Sequence, residues 1–263
     1  MKSNRILLIN YIATLIFICL PFVGFVTRGN FLEIENLDIE IILSSLSVSL
    51  ISSIISMALI FVIGLPVGYY MAKNDFKFKS VLDLLFNLPQ VLPPAVIGLL
   101  LLITYGNNGF IGRHMIELGI RMSFSTLGVI MAFVFVSLPI FIKGTSVAFS
   151  NVDPCLEESA LILGDSPQCV FCKISLPLAK EGILVAFLMA WSRGISEFGA
   201  TMMFAGNLTG VTQTLPLAIY TTLETNFNNA LFLSFIMFVI ALMVLICTYL
   251  LLMKKKDDKN VSI

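Results

Sequence analysis

The sequence predicts an all-α, polytopic membrane protein with six spanning helices, and three observations carry that prediction. Of 263 residues, 58% are hydrophobic and only 12% charged, whereas soluble domains are roughly 25% charged. The apolar residues gather into six runs, each able, at about 1.5 Å per helical residue, to cross roughly 30 Å of hydrocarbon. The basic residues then segregate between alternate connections. Lys2, Arg5, Lys73, Lys77, Lys79, Lys143, Lys173, Lys180, Lys254, Lys255, Lys256 and Lys259 fall on one side, and Arg28, Arg113 and Arg121 on the other. The positive-inside rule makes the first side cytoplasmic, with both termini on it.

The first run, Ile6 to Val26, follows Lys2 and Arg5. It is long for a signal peptide and no small-x-small cleavage pattern follows, so it reads as an uncleaved helix. Arg28 to Glu40 is short and acidic and reads as an external segment. The second run, Ile41 to Tyr70, is long enough to extend beyond the hydrocarbon. Within it Ser45, Ser49, Ser52 and Ser56 share one helical face, because steps of four, three and four return to the same side of a helix. Such small polar residues allow close helix contact or line a path.

The third run, Val81 to Tyr105, begins irregularly with Asn87, Pro89, Gln90, Pro93 and Pro94. Proline breaks the backbone ladder, and at membrane depth only protein or water can re-satisfy it, so this segment is expected to face the interior of the bundle. Gly106 to Ser123 is a polar connection, and Phe124 to Ile142 is the fourth run, with Pro139 near its end. The fifth, Ile183 to Phe204, contains Arg193 and, four residues later, Glu197. Charges at this depth are costly unless paired or wet, so the two are expected to neutralise each other, as a structural pair or at a gate. Asn207 to Asn229 reads as a polar connector. Ala230 to Met253 is the sixth run, and Lys254 to Lys256 anchor its end at the interface.

Between the fourth and fifth runs, Asp153 to Pro177 looks like two short helices. Asp153 and Ser166 can each cap a helix that opens on a proline, Pro154 and Pro167, and Gly164 is a natural stop between them. Leu156, Leu163, Val170 and Phe171 give this stretch an apolar surface that a mere connector does not need.

Several chemistries lack their residues. There is no GxxxxGK[ST] phosphate loop, HExxH or GxSxG elbow, so neither nucleotide hydrolysis nor another catalytic site is expected in this chain. The CxxC of Cys169 and Cys172 has no second CxxC, and the one histidine, His114, falls in a connection on the opposite side, so no metal or cofactor site is expected. Sixteen basic and sixteen acidic residues give no sign of nucleic-acid binding.

Glu158-Ser159-Ala160, Gly164, Ile174 and Leu176-Pro177 resemble the cytoplasmic loop of ABC importer permeases, whose pattern is E-A-A, three residues, G, nine residues, I-x-L-P. Ser159 replaces the usual alanine with another small residue. Arg193 to Asn207, followed by Thr212 to Tyr220, is similar to the molybdate, sulfate and tungstate branch of that family, and most like its molybdate members. The resemblance implies an ABC type I importer transmembrane fold, one permease domain over residues 1–263, in a prokaryotic cytoplasmic (inner) membrane. It also implies a second copy of the chain, two cytoplasmic ATPase subunits that bind ATP and Mg and dock on residues 153–177, and an external substrate-binding protein. The substrate implied is molybdate, with sulfate or tungstate as the alternative. Candidates for translocation or gating are Ser45, Ser49, Ser52, Asn87, Gln90, Arg193, Ser196, Glu197 and Thr201. An ion-coupled secondary transporter has a use for Arg193 and Glu197 but leaves the loop pattern unexplained.

Overall fold

The structure is a computed structural model that describes residues 2–28 and 38–261, with side chains for 7–27 and 38–253. The acidic stretch around Glu33 and Glu35, and the side chains of Lys2, Arg5, Arg28, Lys254, Lys255, Lys256 and Lys259, lie outside the described residues. In chain order the helices are α1 (Lys2–Arg28), α2 (Ile39–Lys73), α3 (Lys79–Val91), α4 (Pro94–Tyr105), α5 (Gly112–Glu117), α6 (Thr126–Ser150), α7 (Pro154–Ile162), α8 (Pro167–Val170), α9 (Leu176–Ile195), α10 (Gly199–Phe204), α11 (Leu215–Thr225) and α12 (Phe227–Val261). A π turn, Phe171–Ser175, joins α8 to α9. Five stretches are long and apolar enough to span a bilayer, at 7–27, 39–73, 126–150, 167–195 and 227–253, and α3 with α4 makes a sixth candidate.

Four expected elements are redrawn. The third run is two helices bent by 111°, because Leu92 precedes a proline and is forced extended (ψ 141°) before Pro94 restarts the helix. No residue of α3 is fully buried, so this half of the run stays at the edge of the bundle rather than in its interior. The fifth run ends at Ile195, and α10 is a separate helix. The second short helix of the 153–177 stretch does not stop: α8 passes through the π turn into α9. There Leu176 N–H reaches back to Phe171 O, widening the turn just before Pro177, which has no N–H to give. Finally, the connector at 207–229 contains α11, and its Thr212, Gln213 and Thr214 are buried.

The core forms where small residues let backbones approach. A Cβ on Gly68 of α2 would lie 2.1 Å from Thr145 Oγ1 of α6, and one on Gly64 would lie 2.7 Å from Phe141. Between α6 and α9 the arrangement is reciprocal, Gly144 against Ala186 and Gly182 against Ala148. The serine face of α2 works in the same closed interior. Ser56 donates to Ile130 O of α6, Ser53 accepts from Trp191 Nε1 of α9, and Ser49 accepts from Leu215 N of α11. Helix α2 is therefore the post on which three others are hung. At 35 residues it is about 52 Å long. Because Ser56 meets Ile130, near the start of α6, roughly the first three turns of α2 run past that helix. Helix α11 packs there, with its Leu215 and Ala218 in one apolar cluster with Ile42. Helix α1 has a large exposed apolar surface, as a lipid-facing helix does, and touches α12 through Phe22 and Phe25 on Phe238.

Candidate functional site: the 153–177 segment and the break at Glu197

Local chemistry builds the 153–177 segment. Asp153 accepts Cys155 N at 2.9 Å, with Pro154 opening α7, and Ser166 accepts Cys169 N at 3.2 Å, with Pro167 opening α8. Helix α7 ends in a Schellman motif, Asp165 N on Ala160 O and Gly164 N on Leu161 O, for which Gly164 takes φ +98°. The segment then projects apolar side chains: Ile162 and Leu163 are 85% and 86% exposed, with Leu156 and Leu161 about half exposed. Glu158 is exposed beside them, and Ser159 is exposed with its hydroxyl turned back onto Cys155 O.

The inward side differs from expectation. Ala160 is buried, so its small size serves packing against the bundle rather than a partner's approach. Val170 is buried, and Phe171 is half-buried against Tyr69 and Phe149, so neither adds to the exposed surface. Ile174 and Leu176 are half-buried in the π turn and first turn of α9, with Pro177 exposed. Sequence reasoning also missed Glu157. It is 8% exposed, pairs with Lys73 Nζ at 2.7 Å, and accepts the Ser175 hydroxyl at 2.5 Å. Its position three residues before Ala160 places both on one helical face, but nothing in the sequence marks that face as the inward one.

Arg193 and Glu197 do pair, across the break between α9 and α10. Glu197 is 1% exposed; one carboxylate oxygen meets Arg193 Nη1 and the other accepts Ala200 N at 2.9 Å. A carboxylate on the free N–H groups of a helix start is favourable, so Glu197 both neutralises Arg193 and starts α10. Helix α10 then lies on α4 through two glycines. A Cβ on Gly199 would meet Pro94 Cβ at 2.7 Å, and one on Gly98 would meet Ala200 O at 2.8 Å.

The remaining path candidates are not gathered on one line. Ser45, Ser49, Ser52 and Thr201 are buried inside the subunit. Ser196 is exposed but bonded to Ser192 O and Arg193 O. Asn87 and Gln90 lie on α3, where Lys143 Nζ donates to Asn87 Oδ1 at 3.3 Å. Buried Ser52, Ser137, Thr201, Gln213 and Thr214 each carry an oxygen without a hydrogen-bond partner. All five cysteines are free thiols, and no cluster of three metal-ligating side chains occurs among the described residues.

Residues 64–256 match the family model described as the binding-protein-dependent transport system inner membrane component. The molybdenum transport system permease protein ModB of Escherichia coli (strain K12) is 39% identical over 191 residues, 71% of this chain and 80% of that protein. ModB of Haemophilus influenzae is 36% identical over 184 residues, 70% of this chain and 80% of that protein. Among solved structures, a bacterial ABC transporter involved in the import of the acidic polysaccharide alginate superimposes with a TM-score of 0.70. It covers 95% of this chain and 94% of its own at 16% identity, a likeness of fold.

Proposed function

The chain belongs to the binding-protein-dependent transport system inner membrane component family, in its molybdate, sulfate and tungstate branch of ABC permeases, and from that premise we propose that it carries molybdate through the membrane of an ATP-driven importer. The observation that carries the proposal is the 153–177 segment, a capped and stopped helix that holds Ile162, Leu163 and Glu158 out from the bundle. Apolar side chains this exposed at the end of a membrane bundle suit a protein partner. In this reading the segment is cytoplasmic and receives a separate ATPase, which supplies the ATP and Mg chemistry. Two copies of the whole 1–263 permease domain enclose the path, and an external binding protein delivers the ion.

A dianion crossing a low-dielectric region needs replacement hydrogen bonds, yet binding must stay weak enough for release. Between two copies, the path is lined by side chains that each copy leaves open. Of the candidate set these are Ser196, Gln90 and half-buried Asn87. Ser49 instead ties α2 to α11, and Ser45, Ser52 and Thr201 are buried where the helices pack, while Arg193 with Glu197 fixes the break beside the path. The test is co-purification of the ATPase, followed by uptake of radiolabelled molybdate into proteoliposomes with tungstate or sulfate as competitor. Molybdate uptake that sulfate does not suppress is expected. Preferential sulfate or tungstate uptake reassigns the ion, and absence of an ATPase rejects the permease role.

A further inference from the structure

Helix α2 ends in a cluster that the docking surface does not use. Lys73, in its last turn, places Nζ 2.7 Å from Glu157 Oε2 and donates to Val152 O at 3.3 Å. The Ser175 hydroxyl holds the other Glu157 oxygen, which fixes the carboxylate with Oε2 toward Lys73. One turn earlier, Tyr69 stands edge-on to Phe149 at 5.0 Å and to Phe171 at 4.8 Å. Residues four apart share a helix face, so one face of α2 grips α7, the π turn and the end of α6 together. At its other end α2 holds α11, through Ser49, which accepts Leu215 N at 2.7 Å, and through an apolar cluster that Ile42 shares with Leu215 and Ala218.

We infer that Glu157 and Lys73 are positioning residues that pass a displacement of α7 to α2, and along α2 to α11 on the opposite side of the bundle. The inference rests on the permease reading above. The physical reason lies in what would have to break. The pair is mostly shielded, with 17% and 11% of the two side chains exposed, so separating it strands a charge in a poorly solvated place. A pull on α7 is met with less resistance if α2 follows. Helix α2 runs from Ile39 to Lys73 with Pro66 inside it, which leaves one ladder bond unmade. Close packing on α6 to either side of that proline, Gly64 on Phe141 and Gly68 on Thr145, braces the two parts so that a shift at one end reaches the other. Glu158, one residue along, is exposed and free to meet the ATPase. Two adjacent carboxylates thus divide the work, one outward to the motor and one inward to the membrane helix.

The experiment compares wild type, Glu157→Gln, Lys73→Met and Lys73→Arg in the complete complex, reading ATPase retention, ATP hydrolysis and molybdate uptake. Glu157→Gln and Lys73→Met should retain the ATPase and hydrolyse ATP, while uptake per ATP falls about tenfold, within the usual range of coupling between two sites. Lys73→Arg, which keeps the cation, should restore the ratio. Normal uptake per ATP in both uncharged variants overturns the inference. So does loss of the ATPase from all three variants, which would assign the pair to folding of the segment. A wild-type chain that itself holds no ATPase overturns the permease reading and this inference with it, and is recognised because no variant is involved.

Discussion

Glu157 and Glu197 each split their two carboxylate oxygens between a cation and a second donor, yet they sit in different kinds of structure. Glu197 takes Arg193 four residues before it and Ala200 N three residues after it, all within one break of the chain. Glu157 takes Lys73 from another helix and Ser175 from the far end of its own segment. The first arrangement shapes a backbone; the second joins elements that the chain does not connect directly. Burial differs as well, since the Glu197 side chain is 1% exposed and the Glu157 side chain 11%. A local pair at depth is a structural necessity, whereas a distant pair near the end of the bundle is free to transmit.

The largest effect should follow from removing the deeper carboxylate. Glu197→Ala leaves Ala200 N–H without its acceptor and Arg193, one-third exposed, without its counter-charge, a loss of about 3 kcal/mol, the low end for a broken buried pair. Glu197→Gln keeps an oxygen for Ala200 N–H and should lose less stability, while still impairing uptake. Glu157→Ala, nearer the surface, should cost about 1–3 kcal/mol, the range for stranding a hydrogen-bonded group. Thermal unfolding of the detergent-solubilised chain ranks the three. Equal losses for Glu157→Ala and Glu197→Ala would erase the distinction between a shaping pair and a joining pair.

The next effect is steric and asks whether α10 is as firmly seated as the pair implies. Gly98→Val puts a Cβ 2.8 Å from Ala200 O and 3.0 Å from Ala200 Cα, backbone that cannot rotate away. Overpacking of this kind costs about 1–3 kcal/mol. Gly24→Val on α1 meets nothing within 4 Å and is the control. A stable Gly98→Val chain with normal uptake would mean that α10 moves freely on α4.

The same comparison shows what the sequence could reveal. Arg193 and Glu197 were legible because an i, i+4 spacing is written in the chain itself. The capped segment at 153–177 was legible for the same reason, since caps, prolines and Gly164 act within a few residues. Lys73 with Glu157 was not, because no local rule says which of two adjacent glutamates turns inward, or toward which helix. Pro93 and Pro94 announced a broken run but not a bend of 111°. The stretch from Asn207 to Asn229 misled because polar residues read as external. Part of it turns inward instead, with Thr212, Gln213 and Thr214 buried, while Asn207 and Gln213 reach exposed Thr221 of α11. The serines of α2 were placed on one face correctly, but periodicity could not distinguish a packed face from an open one.

A smaller effect tests the stop of α7. Gly164 has open space around it and φ +98°, so the difficulty for any other residue is the backbone and not its bulk. Gly164→Ala and Gly164→Leu should therefore weaken the motif alike, by about 1 kcal/mol, and reduce ATPase retention alike. If only Leu disturbs retention, then Gly164 touches the ATPase directly and the segment's inward and outward sides are less separate than Glu157 and Glu158 suggest.

The smallest expected effect belongs to a pair that resembles Lys73–Glu157 in composition and differs in setting. Asp75 meets Lys79 at 2.9 Å in the connection just beyond α2. The hydrogen bond from Lys79, then its charge, hold the Asp75 carboxyl below its ordinary value of 3.8. A carboxyl depressed in the folded state adds stability above its unfolded value and loses it as pH falls through the folded one. Asp75→Asn should thus lower the unfolding midpoint slightly at neutral pH, and the difference from wild type should shrink below about pH 4. Asp75 is 97% exposed, so added salt should screen the difference at neutral pH. The mostly shielded Lys73–Glu157 pair should respond to salt far less, and equal salt sensitivity of Asp75→Asn and Glu157→Gln would place Glu157 in solvent and deprive it of its transmitting role.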